Sequence, residues 1–278
     1  MQTGQDGERE ALDALANLFD GGPAALLTGA GISTDSGIPD YRGAGTPPRT
    51  PMSIEQFTND PRYRQRFWAG SRVGAVRRAG IEPNAGHVAA ARLEAAGFLT
   101  GVVTQNVDGL HRRAGTRRIA ELHGNGSVIR CTSCGSRWEF AEVQRWFDVA
   151  NPGFVESQED AGITPDGDAD VTGFEAVRVP VCPACGGMLR PDIVYFGERV
   201  PSEVFARAEE IVADSASIIV AGSSLAVNTG VRLVHRGERR ALPIGVINRG
   251  PTSVDARPSV RGRIGGGTSG WRTALADP

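Results

Sequence analysis

The chain has no lysine: all 30 basic side chains apart from histidine are arginine. Set against 32 Asp and Glu, these leave a formal charge of -2, which gives no general attraction to nucleic acid or anionic lipid. A lysine-free chain has no side-chain amine of its own to be acylated, although drift in a GC-rich genome produces the same absence. No apolar run approaches the roughly 18 residues that span a bilayer, so no membrane partner is expected. Residues 1–10 are polar with a single Arg, unlike a secretory signal or an Arg-rich transit peptide, which leads us to expect a cytoplasmic protein. Cysteine is scarce as well, at four in 278 residues. What remains is ordinary: 40% hydrophobic and 22% charged residues describe a globular chain, long enough for about two domains.

Taken in order, Glu8 to Phe19 carries Leu12, Leu15, Leu18 and Phe19 at helical spacing, ended by Gly21-Gly22-Pro23. A short apolar run, Ala24 to Leu27, then feeds Thr28-Gly29-Ala30-Gly31-Ile32-Ser33, a strand, glycine turn and helix that would present backbone N–H groups to a phosphate. Thr34 stands where the third glycine of a dinucleotide fingerprint belongs. No second strand ending in an acidic residue follows about twenty positions later, so an ordinary dehydrogenase is disfavoured. Ser36 to Pro48 is rich in Gly and Pro yet carries Tyr41 and Arg42, the mark of a lid beside the phosphate turn, with Arg42 in reach of a diphosphate. Met52 to Ala79 reads as helix broken at Asn59-Asp60-Pro61, and Asn84 to Ala96 as a capped helix.

The chemistry concentrates between Thr104 and Gly124. Gly101 to Thr104 is the end of a buried strand, so Gln105, Asn106 and Asp108 fall at its carboxyl end, where open α/β sheets bind ligands. A second run, Ile119 to Leu122, delivers His123 and Gly124; the imidazole titrates near neutrality and suits a general base. His111 is its rival, but its spacing places it on a helix just after Asp108, where a packed or capping imidazole is the commoner fate. His87 and His235 fall in helical stretches away from any strand end.

All four cysteines lie in two Cys-x-x-Cys knuckles, Cys131/Cys134 and Cys182/Cys185, each followed by Gly. Four thiolates in this arrangement make a closed tetrahedral zinc site; two disulfides are the alternative, disfavoured in a reducing cytoplasm. The 47 residues between the knuckles exceed an ordinary ribbon loop, and Glu156 to Asp170, acidic and poor in large apolar residues, is expected to be a mobile insertion. Afterwards come a strand at Asp192 to Phe196, a helix from Ser202 to Ala213 with Ser202 as its N-cap, and strands at Ala216 to Ala221 and Leu242 to Ile247. The last two end in Gly222-Ser223-Ser224 and Asn248-Arg249-Gly250. With the two earlier strands they define one crevice across a parallel sheet. The tail from Arg257 is Gly- and Arg-rich with one anchor, Trp271.

Together these stretches resemble the sirtuin family of NAD-dependent protein lysine deacylases. The resemblance rests on GAGISTDSGIPDYR at Gly29 to Arg42, TQNVDGLH at Thr104 to His111, LHG at Leu122 to Gly124, both knuckles, VYFGE at Val194 to Glu198, GSS at Gly222 to Ser224 and INRG at Ile247 to Gly250, in family order. Texture around Pro165-Asp166-Gly167-Asp168 is similar to the class II branch. The resemblance implies an α/β fold: a Rossmann-like doubly wound parallel sheet (1–40, 84–125, 191–278), with a smaller domain made of a helical module with the cofactor loop (41–83) and a zinc-ribbon module (126–190). It implies NAD as co-substrate and one structural zinc.

By that likeness Gly29, Ala30 and Gly31 contact the diphosphate through backbone, and Asp40, Tyr41 and Arg42 lie at the cofactor loop. Gln105 holds the nicotinamide ribose, while Asn106, Val107 and Asp108 position the nicotinamide end. Gly222, Ser223 and Ser224 meet the adenosine half, and Asn248, Arg249 and Gly250 the adenine ribose. Thr268 falls where the family often has a Cys touching adenine. His123 takes a proton from the ribose hydroxyls, and an acylated peptide adds as a strand at Val194, Phe196, Gly197 and Leu225. Tyr63 and Arg66 have the spacing of the pair that reads acidic acyl groups, but family register puts Trp68 and Ser71 there, which implies an apolar acyl channel. A mono-ADP-ribosyltransferase using the same NAD site and a non-catalytic zinc-ribbon module are the competing readings.

Overall fold

The computed structural model describes residues 2–41, 51–164 and 166–265. Arg42, Thr268 and Trp271 lie outside the described residues. Strand β1 (Ala24–Thr28) is buried at every position, as a strand covered on both faces must be. Its side chains split by the two-residue period: Ala25 and Leu27 join a core with Ile211, Val212, Leu233 and Val234, while Ala24 and Leu26 join one with Leu15, Leu18 and Ala90. Each large aliphatic side chain buried this way contributes about 1.5–3 kcal/mol.

These partners come from opposite faces, α1 (Gln2–Ala16), the 3-10 turn Asn17–Phe19 after it and α4 (Ala85–Ala95) on one, α7 (Ser202–Ala213) and α8 (Asn228–Glu238) on the other. The sheet also contains β2 (Leu99–Thr104), β3 (Ile119–Glu121), β7 (Ser217–Ala221), β8 (Ile244–Ile247) and β9 (Val260–Ile264), all parallel, in the order β3-β2-β1-β7-β8-β9. Succession runs outward from β1 in one direction and resumes at β7 in the other. The topological switch point therefore lies between β1 and β7, and a crevice opens at their carboxyl ends.

A second, antiparallel sheet of β4 (Gly124–Cys131), β5 (Arg137–Glu139) and β6 (Leu189–Ile193) packs with helices α2 (Ile54–Asn59), α3 (Pro61–Arg77) and α6 (Phe140–Ala150) around Phe57, Trp68, Ile129, Phe147 and Leu189. Asp60 caps α3 at the expected break, its carboxylate accepting from the Arg62 amide ahead of Pro61 at the first helical position. Asn84 caps α4 in a capping box closed by His87.

Several expectations are corrected. The first helix begins at Gln2. The glycine turn leads into two short 3-10 turns, Ala30–Ile32 and Thr34–Ser36, because the N–H groups of Gly29 and Gly31 bond to the Ala221 and Gly222 carbonyls and hold the chain against β7. The strand expected at Asp192 to Phe196 falls earlier, at β6, and pairs with β4; it crosses the expected boundary at 190. Ser202 is the first residue of α7, which has no side-chain cap; its hydroxyl turns to Glu203. The acidic insertion is docked at its C-terminal part, with the Ala169 N–H on the Gly70 carbonyl of α3 at 2.9 Å. Strand β9 was hidden by its Arg-rich composition.

Candidate active site

Three of the buried strands end in residues that bond to one another. The Gln105 N–H continues the β2 ladder onto the Thr28 carbonyl, and its side-chain Oε1 accepts from the Ser223 hydroxyl at 3.0 Å. This joins the ends of β1, β2 and β7. Gly222 is a close approach: a Cβ there would stand 2.2 Å from the Ile32 nitrogen, and its φ of 59° lies in the left-handed region. Asn106 donates to the Gly29 carbonyl and the Ser33 hydroxyl, both at 3.1 Å, and Ser33 donates to the Asp108 carboxylate at 2.7 Å. The other Asp108 oxygen accepts from the Leu110 amide at 2.9 Å and caps the short helix α5 (Leu110–Arg113). Amide and carboxylate are thus tied together through Ser33. Val107 contributes backbone only, its carbonyl accepting from the Gly126 N–H.

His123 sits where the chain leaves β3 and enters the second sheet at β4. Gly124 permits that crossing, since its φ is 78° and a Cβ would come 2.1 Å from the Asp192 carbonyl oxygen. The imidazole Nδ1 lies 2.9 Å from the Gln105 carbonyl oxygen. A carbonyl only accepts, so Nδ1 carries the proton and Nε2 keeps its lone pair. Among the described residues Nε2 has no partner. Burial lowers the His123 pKa and the bond to Gln105 partly restores it, so the ring is neutral at pH 7.

His111 is packed beneath: 2% exposed, with Nε2 3.0 Å from the Thr28 hydroxyl. His87, expected to lie away from any strand end, instead reaches the Ser33 hydroxyl at 3.5 Å and meets the His111 ring edge-on at 4.8 Å between centroids. Ser33, which links Asn106, Asp108 and His87, was not singled out from sequence. Its place in a glycine turn gave a local signal, but the partners lie 54 to 75 residues away. His235 lies on α8 and accepts from Arg257.

At the far end of the crevice, Asn248 closes its own loop onto the Gly250 carbonyl at 2.7 Å, and Arg249 reaches Asp35 of the second 3-10 turn at 3.2 Å. The Ser224 carbonyl is used by the Ser253 N–H. Among the residues expected to meet a peptide, Phe196 and Gly197 are exposed. Leu225 is buried: its side chain is 2% exposed, its N–H bonds to the Ser223 hydroxyl and its carbonyl accepts from Ser253. The Val194 N–H is taken by the His123 carbonyl, and the Phe196 carbonyl by the Ile54 N–H.

The four cysteine sulfurs lie within 4.8 Å of one another, with Cys131–Cys185 at 3.5 Å and Cys134–Cys182 at 3.7 Å. A disulfide needs about 2.05 Å. Sulfurs about 3.8 Å apart are what a tetrahedral ion with Zn–S bonds of about 2.3 Å demands, so Cys131, Cys134, Cys182 and Cys185 fit one structural zinc.

With this geometry in hand, the Sir2 family model matches residues 29–229. NAD-dependent protein deacetylase 1 of Mycobacterium avium is 48% identical over 91% of this chain and 90% of its own length. That of Streptomyces coelicolor is 44% identical over 88% and 82%. Among solved structures, a Sir2 enzyme complex with a p53 peptide and NAD+ superimposes with a TM-score of 0.74 at 29% identity, covering 94% of both chains. A family match over more than half the sequence, with relatives this similar, makes the chain a member of the Sir2 family.

Proposed function

We propose that the protein removes acyl groups from lysine side chains of other proteins in a reaction that consumes NAD, releases nicotinamide and leaves the acyl group on ADP-ribose. The observation that carries the reading is the placement of His123, whose Nδ1 lies 2.9 Å from the Gln105 carbonyl oxygen and whose Nε2 is left to the crevice at the carboxyl ends of the parallel strands. NAD supplies a cationic nicotinamide as leaving group on ribose C1′, which an amide oxygen can displace. The chain's own task is mainly orientation and exclusion of water. Gln105, fixed by Ser223, holds the nicotinamide ribose; Asn106 and Asp108, both tied to Ser33, position the nicotinamide end; His123 accepts the ribose hydroxyl proton at Nε2.

The diphosphate falls to the Ala30 amide, because those of Gly29 and Gly31 are spent on β7. Asn248 and Arg249 serve the adenine ribose. Phe196 and Gly197 present the edge where a peptide adds. The reading takes the protein as cytoplasmic, where reducing conditions keep the four thiols available to zinc. Trp68, 1% exposed against Phe67 at 5.4 Å, and Ser71 replace any acid-reading pair with an apolar wall. Arg66 is occupied over the Tyr63 ring at 5.0 Å.

The test is turnover of peptides carrying acetyl-, propionyl- and succinyl-lysine, with nicotinamide and products followed by mass spectrometry. Expected are free lysine and one acyl-ADP-ribose per nicotinamide, with an apolar acyl group fastest. ADP-ribose on the peptide would overturn the reaction assigned here, and succinyl-lysine as the fastest substrate would overturn the role of Trp68.

A further inference from the structure

Residues 166–168 of the acidic insertion are seated on α3, which is built to receive them. A Cβ on Gly70 would stand 2.7 Å from the Ala169 carbonyl oxygen, and one on Gly74 only 2.2 Å from that of Gly167. Backbone meets backbone there, a contact that larger residues forbid. Arg78 closes the seat from above, since a Cβ on Gly167 would meet its guanidinium carbon at 2.8 Å. From this seat Asp166 accepts a hydrogen bond from the Tyr41 hydroxyl, 125 residues away and next to Asp40 in the segment that leaves the glycine turn. The charges of Asp168 and Asp108 both favour the Arg78 cation. Burial opposes the charge on both Asp168 and Arg78, pushing Asp168 up to about 7 and drawing Arg78 below its usual range, so each offsets part of the other's desolvation.

We infer that Asp166 is a positioning residue for the NAD crevice: the insertion is a strap, seated on Gly70 and Gly74 of α3, that holds the Tyr41 segment through Asp166. The strap rests on the deacylase reading, and it gives the zinc-bearing module a part in cofactor binding besides its structural one. Its contribution falls on KM for NAD rather than on the proton transfer at His123, which it does not touch.

The experiment is steady-state deacylation by the full chain with NAD varied, for Asp166→Ala, Tyr41→Phe and the double variant, with melting temperature and zinc content measured alongside. Expected is a rise in KM for NAD of about 5–20-fold in each single variant, as for loss of a charge-assisted hydrogen bond, with kcat changed by less than about twofold. The double variant should fall well short of the product of the two single effects, because both remove the Tyr41–Asp166 bond. Asp166→Asn, which keeps an acceptor of the same shape, should restore most of the affinity and serves in place of Asp166→Ala if that variant fails to fold. Unchanged KM in both single variants, or effects that simply multiply, would overturn the strap. A wild-type protein that does not turn over acyl peptide overturns the deacylase reading instead, so the two failures are distinguishable.

Discussion

His111 and His123 lie twelve residues apart in one stretch, and each has a single ring nitrogen bonded to the protein. At His111 the bonded atom is Nε2, held by Thr28 of β1, while Nδ1 is buried with no partner among the described residues. At His123 the bonded atom is Nδ1, held by the Gln105 carbonyl, while Nε2 is left to the crevice. Hydrogen-bond count does not separate them; access to the second nitrogen does. The difference arises from the sheet. His111 follows the left-handed turn at Gly109 and drops back under β1, whereas His123 stands at the step between two sheets and is only partly buried.

Exchanging the roles by mutation is the strongest way to break this comparison. His123→Ala should lower kcat/KM by about 10²–10⁴-fold, the usual contribution of a general base, with its melting temperature within about 2 °C of the wild type. His111→Ala should retain kcat/KM per folded molecule yet lose about 2–4 kcal/mol of stability, through a cavity and an orphaned Thr28 hydroxyl. Steady-state kinetics and urea titration of the same preparations decide it. Activity lost at His111 with stability intact would transfer the chemistry to the buried ring.

Acid should separate the two rings next. Burial lowers the pKa of His111 to about 3 and that of His87 to about 4, from an ordinary 6.5. Above pH 6.5 both are neutral in folded and unfolded chains, so their full stability is present. As pH falls, the unfolded chain takes up protons that the folded one refuses, and stability is lost between pH 6.5 and about 3. At about 1.4 kcal/mol per unit the limit is roughly 3 kcal/mol for His87 and 5 kcal/mol for His111. Urea midpoints at pH 7 and pH 5 should therefore differ markedly in the wild type and less in His111→Ala. His123, with its lowered pKa and open nitrogen, should appear in the rate instead, as a fall in kcat/KM below pH 6.5. Flat stability across this range would mean that the lower rings are not sealed.

The contrast also marks what the sequence could tell. Residues at strand ends were legible, because buried β-rich runs show where a parallel sheet stops, and the amides, carboxylate and imidazole beyond Thr104 and Leu122 follow in register. The knuckles were legible because their ligands come in local pairs. Ser33 and His87 were not: their meaning comes from hydrogen bonds that span 54 to 75 residues, and local pattern shows only a glycine turn and a helix cap. The acidic insertion misled for a related reason. Its composition suggests solvation, while its docking depends on Gly70 and Gly74, which leave a backbone-sized groove on α3. Strand β9 exposes its arginines and buries only Gly262 and Ile264, too thin a pattern to read alone.

The smallest expected effect tests whether the layer beneath the crevice is purely structural. Thr28 is the last residue of β1, 1% exposed, and Gly29 of the crevice follows it directly. Thr28→Val keeps the shape and removes the hydroxyl, leaving His111 with neither nitrogen bonded, at a cost of about 1–3 kcal/mol. The chain leaves the bond between Gln105 and Ser223 and the one from His123 to Gln105 independent of that hydroxyl, so kcat/KM per folded molecule should be unchanged. In the His111→Ala background the stability loss should shrink, since the bond is already gone. Should Thr28→Val instead reduce kcat/KM while the melting temperature holds, the buried histidine would be transmitting to the crevice, and the line drawn between the two rings would have to move.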